Sequence, residues 1–160
     1  MLDSITALLA LLNDVVQSTI VIFGSSIVLY NLRFIWRDRA ARAFTALIFF
    51  IVIVYFTELV ASQTEFASSA EIWLRLEWLG SAFVPAAQLH LADALLASTG
   101  DHSRRRRLLA RINYAISVVF LLIVLQTDWI VSGLNFEKII PHLRAGLAFG
   151  VFAGYYLLLT

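Results

Sequence analysis

EIWLRLEWLGSAFVPAAQLHLADALLA, running from Glu71 to Ala97, is the stretch whose reading decides the fold. It exceeds the length of about 20 apolar residues that crosses a bilayer. It nevertheless carries Arg75, Glu77, Gln88, His90 and Asp93. Ionisable groups at membrane depth are costly and face the inside of a bundle or a watery cavity. The segment therefore reads as a central helix that other helices shield from lipid.

The rest of the chain supplies them. Of the 160 residues, 61% are apolar and 14% are charged, and the charges cluster between apolar runs. That is the composition of a polytopic helical membrane protein, not of a soluble domain. A transmembrane barrel would alternate in segments of about ten residues, and no such alternation is present. Cysteine is absent, which excludes disulfides and thiolate metal sites. The N-terminus lacks the basic start and cleavage site of a secretory signal, so the first apolar run is read as a retained helix. Spans are expected at about residues 15–32, 43–60, 71–97, 108–126 and 143–160. The fold is then an all-α bundle of five transmembrane helices in a single domain over residues 1–160. Residues 3–12 read as an interfacial helix or as the outer end of the first span, with Asn13 and Asp14 as candidate caps of a new start. Gly24, Ser25 and Ser26 form a small-residue patch where another helix can approach closely. Thr127 to His142, with Trp129, Glu137, Lys138 and Pro141, reads as a long loop. The last apolar run, Tyr155 to Thr160, stops without a basic anchor, so the chain is expected to be a fragment of a longer one.

Charge distribution orients the bundle. Arg33, Arg37, Arg39 and Arg42 lie between the first two spans, and Arg104 to Arg107 with Arg111 between the third and fourth. The loop between the second and third spans, which includes Glu65, has no base. The positive-inside rule then makes the arginine-rich loops cytoplasmic and places the N-terminus outside. Trp73 and Trp78 are expected to bracket the outer interface, where tryptophan is favoured.

Several polar groups on the third span are candidates for function. On one continuous helix Glu77, Ser81 and Gln88 share a face. They read either as a polar pocket for a small ligand or cation, or as hydrogen-bonding groups that hold helices together. His90 and Asp93, spaced i, i+3, can touch; they read as a proton-sensing pair or as a satisfied internal pair. Glu58 and Arg75 both fall at the outer level and are expected to form a structural ion pair. Pro85 removes a backbone donor and, with Gly80 nearby, is expected to kink the helix. The run Arg104 to Arg107 reads as a topology anchor first and as a contact for anionic lipid headgroups second.

No catalytic motif, phosphate-binding loop, nucleophile elbow or metal-ligand spacing is present, so no enzymatic activity and no metal are expected. Nothing in the sequence points to nucleic acid. The one lysine, Lys138, lies in a loop, which excludes a retinal Schiff base within the membrane. No cofactor is expected; His90, the one histidine at depth, can at most ligate a single pigment.

Residues 41–97 carry a resemblance. Their motif is Trp73, Arg75, Leu76, Glu77, Trp78, Gly80 and Pro85. It resembles the N-terminal seven-helix sensor region of bacterial histidine kinases, where the corresponding segment reads Trp-x-Arg-Leu-Gln-Tyr-x-Gly before a proline. Glu77 and Trp78 stand here where the family has Gln and Tyr. The resemblance implies an outside N-terminus, seven helices and a cytoplasmic output domain, so this chain would be a truncated sensor region in a bacterial inner membrane. The expected function is a non-catalytic sensor or receptor module for an unknown small ligand. Its expected partners are the lipid bilayer and other membrane helices, as a homodimer or in a larger assembly. The alternatives are a structural subunit of a respiratory or photosynthetic complex and, third, half of a transporter.

Overall fold

The computed structural model describes residues 2–64, 66–135 and 142–159. Helix α1 (Leu2–Asn31) is followed by α2 (Arg39–Ser62), α3 (Ala67–Ser81), α4 (Val84–Ser98) and α5 (Arg104–Gln126). An antiparallel hairpin of β1 (Val131–Asn135) and β2 (His142–Ala145) then leads into α6 (Phe149–Leu159). Four stretches are long and apolar enough to cross a membrane: Ser4–Asn31, Arg39–Ser62, Ala67–Ser98 and Arg104–Gln126. They coincide with the first four expected spans.

The caps follow from the sequence. The Asp38 carboxylate accepts a hydrogen bond from the Ala40 amide and opens α2. The Ser103 hydroxyl accepts from the Arg106 amide and opens α5. Both satisfy amides that the first helical turn leaves unpaired. Within the helices the buried hydroxyls of Thr45, Thr57 and Ser117 donate to the carbonyls of Ala41, Ile53 and Asn113, one turn back. That removes the cost of burying them.

The expected kink is a full interruption. Pro85 has no amide hydrogen, and its ring clashes with the carbonyl four residues earlier, that of Ser81. The chain tightens instead: the Phe83 amide donates to Gly80 at 2.9 Å, and α4 restarts with Pro85 in its first turn. Gly80 adds a second constraint. A Cβ there would collide with the Phe50 carbonyl oxygen and lie 2.5 Å from a Val54 methyl, so α3 meets the α2 backbone directly. Gly24 brings α1 onto α2 in a similar way, against a Val52 methyl. The interrupted α3–α4 helix is the most buried of the four long ones, as expected, and α2 is the element that packs on α1, α3 and α4.

Four expectations are corrected. Helix α1 runs through Asn13 and Asp14 without a new start; Asp14 instead accepts from Gln63 of α2 at 3.0 Å. The expected loop from Thr127 contains the hairpin, so the chain is not purely helical. The expected fifth helix begins at Phe149, not Leu143. The backbone before it is committed elsewhere: Leu143 and Arg144 pair with β1, and the Gly146 and Ala148 amides donate to Ile130 and Trp129. As described, α6 has 11 residues, about 16 Å at 1.5 Å per residue, where about 30 Å of hydrocarbon must be crossed. Finally, Trp78 does not lie on the protein surface. It is 8% exposed and packs on Phe152 at 4.6 Å, in a cluster with Ala82, Val124, Ile130 and Val131 that joins α3, α5, the hairpin and α6. Glu65, Glu137, Lys138, Pro141 and Thr160 lie outside the described residues.

Candidate functional site

Two polar regions sit on either side of the α3–α4 break. The first is between α1, α2 and α3. Gln17 is 2% exposed, and its side chain hydrogen-bonds Glu58 of α2. Glu77 of α3 is largely buried and within electrostatic reach of Glu58. Asn13 Nδ2 and Gln17 Oε1 are buried with no hydrogen-bond partner among the described residues. This arrangement can accept a cation or a donor-bearing ligand, because two like-charged carboxylates repel unless a proton or cation joins them. Among the described residues no three His, Asp or Glu side chains converge as a metal site would require.

Of the expected face, Glu77 and Ser81 lie on α3 and Gln88 lies on α4, with Ala82 and Phe83 between the two helices. The Gln88 Oε1 is buried there without a hydrogen-bond partner among the described residues. The structure puts Gln17 beside Glu58, and Glu58 within electrostatic reach of Glu77.

The expected Glu58–Arg75 pair is replaced as well. Arg75 binds Glu71 on its own helix at 3.0 Å and Asp128 at 2.5 Å. It also donates to the Val124 carbonyl at 2.7 Å. Asp128 is the closer carboxylate, and the Val124 oxygen is one that the end of α5 leaves open. Arg75 thus ties α3 to the end of α5 and the start of the hairpin.

The second region lies at the arginine-rich end, where α2 and α5 begin and α4 ends. Asp93 is 2% exposed. It does not pair with His90 as expected: it binds the Arg39 guanidinium of α2, and Arg106 Nε of α5 lies 3.7 Å away. Arg106 also reaches Asp101 at 3.0 Å and holds that exposed carboxyl below the usual carboxylate range. The contact is therefore kept until the pH falls below that range. His90 turns to α5, where its Nδ1 is 3.4 Å from the Tyr114 hydroxyl. Beside these groups is a cavity of about 450 Å³ lined chiefly by Arg39, Arg42, Arg107, Arg111, His90 and Tyr114.

Phe83, at the break, links this end to α2 and α5. It stacks on Phe50 at 5.0 Å and tilts against Tyr114 at 6.2 Å, and Tyr114 meets His90 edge-on at 5.9 Å. Sequence reasoning missed Gln17, Arg39, Arg42, Arg111 and Tyr114. The available signal was spacing: Arg39 with Arg42 and Arg107 with Arg111 fall at i, i+3 and i, i+4, on one face each. No protein-family model matches the chain, and neither a curated protein nor a solved structure is significantly similar to it.

Proposed function

We propose that this chain is an integral-membrane sensor or receptor module, non-catalytic in itself. In this reading its N-terminus is outside and its arginine-rich end is in the cytoplasm of a bacterial inner membrane. One observation carries the reading: the interrupted α3–α4 helix joins a partly buried carboxylate pair, Glu58 and Glu77, to an ion-paired end. Neutralising or bridging Glu58 and Glu77 relieves their repulsion and lets α3 shift on α2. The break at Ala82–Phe83 then passes the shift through Phe83 and Tyr114 to Asp93 and its two arginines. An interrupted helix is a natural hinge, since it lacks the continuous ladder that keeps a helix straight. The composition and the motif at Trp73 to Pro85 support the same reading.

A second reading, a structural subunit of a larger membrane complex, is favoured by α1. That helix leaves Leu8, Leu9, Ile22, Phe23 and Leu29 more than half exposed, a surface suited to lateral packing.

Spin labels at Ile72→Cys and Leu95→Cys, both exposed, separate the two readings. They lie about 35 Å apart along the helix at about 1.5 Å per residue. In a sensor, the Glu58→Gln/Glu77→Gln double variant shifts the interspin distance by about 2 Å or more. A distance distribution identical to that of the parent favours the structural subunit.

A further inference from the structure

We propose that the cavity at the arginine-rich end is a binding site for a phosphate-bearing anion, held mainly by Arg42, Arg107 and Arg111. The inference stands whether or not the chain is a sensor, because it rests on charge and shape at that end alone.

The first support is an unbalanced charge. Four guanidinium groups line the cavity and Asp93 is the one carboxylate among them. Asp93 is already bound by Arg39 and approached by Arg106. Among the described residues Arg42, Arg107 and Arg111 have no carboxylate partner.

The second support is the helix ends. Both α2 and α5 begin here, at Arg39 and Arg104; the Asp38 carboxylate caps α2, whereas α5 is capped by the neutral Ser103 and has no acidic residue in its first turn. A helix start carries about half a positive charge and favours an anion, whereas these first turns hold arginines. The arginines at the start of α5 repel one another and that helix's dipole, and an anion relieves both. Arg42, Arg107 and Arg111 are exposed, so salt screens part of that repulsion.

The third support is geometry. Arg39 and Arg42 lie one turn apart on α2, and Arg107 and Arg111 one turn apart on α5, so two helices present guanidinium pairs to one space. The planar guanidinium matches two oxygens of a phosphate at once, which a lysine does not. The cavity of about 450 Å³ falls within the range of about 300–1,000 Å³ typical of small-molecule sites, enough for a phosphorylated headgroup. An arginine that serves only to anchor topology needs no cavity. Arg104 and Arg105, exposed like Arg42, Arg107 and Arg111 but outside the lining, are the natural controls.

Phosphate occurs on lipid headgroups and on soluble molecules, and two arms of one experiment distinguish them. The full chain is melted in neutral detergent with pyrophosphate, against chloride at equal ionic strength. In parallel it is melted in nanodiscs of phosphatidylcholine with or without phosphatidylglycerol. We expect one arm to raise the melting temperature. Phosphatidylglycerol alone acting identifies a lipid headgroup, and pyrophosphate acting identifies a soluble phosphate.

In the effective arm, Arg42→Gln/Arg111→Gln should raise the half-stabilising concentration about tenfold or more, on the basis of the usual contribution of each basic residue near an anionic surface. Arg104→Gln/Arg105→Gln should change it about twofold at most. If the first double variant does not fold, Arg107→Lys takes its place. It keeps the charge, loses the two-pronged contact, and should weaken the effect several-fold. Stabilisation in neither arm overturns the proposal. So does an equal loss in the cavity variant and the Arg104/Arg105 control, which would mark a diffuse charge effect.

Discussion

A Gly80→Ala chain is expected to lose about 3 kcal/mol or more of stability, at or beyond the upper end of what overpacking costs. The added Cβ meets the Phe50 carbonyl oxygen and a Val54 methyl. The first of these is backbone, and it cannot move without displacing a turn of α2. Helix α2 in turn packs against α1 and α4, so the displacement spreads through the bundle. Two controls bracket the effect. Gly24→Ala collides with a Val52 methyl at 2.5 Å and meets side-chain atoms but no backbone, so it should cost less. Gly154→Ala has nothing within 4 Å and lies within a helix, so it should be neutral or stabilising by about 0.5–1 kcal/mol. Melting temperatures in one detergent rank the three. A Gly80→Ala protein that melts with its parent would show that α3 does not lie directly on α2.

Asp93→Ala should be nearly as damaging. It removes the carboxylate that Arg39 and Arg106 share and leaves two guanidinium groups beside an already basic cavity. Breaking one side of a buried ion pair costs about 3–5 kcal/mol. The side chains of Arg39 and Arg106 keep 29% and 32% of their exposure, so solvent screens part of the loss and the lower end of that range applies. Asp93→Asn should also destabilise, because it keeps the shape and loses the charge. The double variant Asp93→Ala/Arg39→Gln should recover part of the loss, since it leaves one fewer unpaired charge. A stability loss from Asp93→Ala that Arg39→Gln does not reduce would show that the pair is not energetically coupled.

The long helices were legible in the sequence because a crossing segment is defined locally, by length and by apolar content. The interruption at Pro85 was legible for the same reason, since the missing amide and the ring clash belong to that residue. What was illegible depended on partners distant in the chain. Arg75 was assigned to Glu58 by membrane depth alone, yet depth does not say which neighbour a long side chain reaches. Asp128 and the Val124 carbonyl come from the end of another helix. The Val131–Asn135 strand exists because residues 142–145 fold back on it, and a five-residue stretch holding Ser132, Gly133 and Asn135 does not show that partner. The shared face of Glu77, Ser81 and Gln88 was drawn on one continuous helix, whereas Ala82 and Phe83 separate α3 from α4. Asp93 was matched with His90 by spacing, whereas full charges on α2 and α5 compete better for a carboxylate than an imidazole on its own helix.

Orientation is tested most directly by accessibility of single cysteines, which the cysteine-free parent permits without background. Ser68→Cys and Ser132→Cys lie at the hairpin end, and His102→Cys lies at the arginine-rich end. With four crossings and an outside N-terminus, the first two react with a membrane-impermeant maleimide on intact cells. His102→Cys reacts only after the cells are permeabilised. Labelling of His102→Cys in intact cells, with protection of the other two, would contradict the topology.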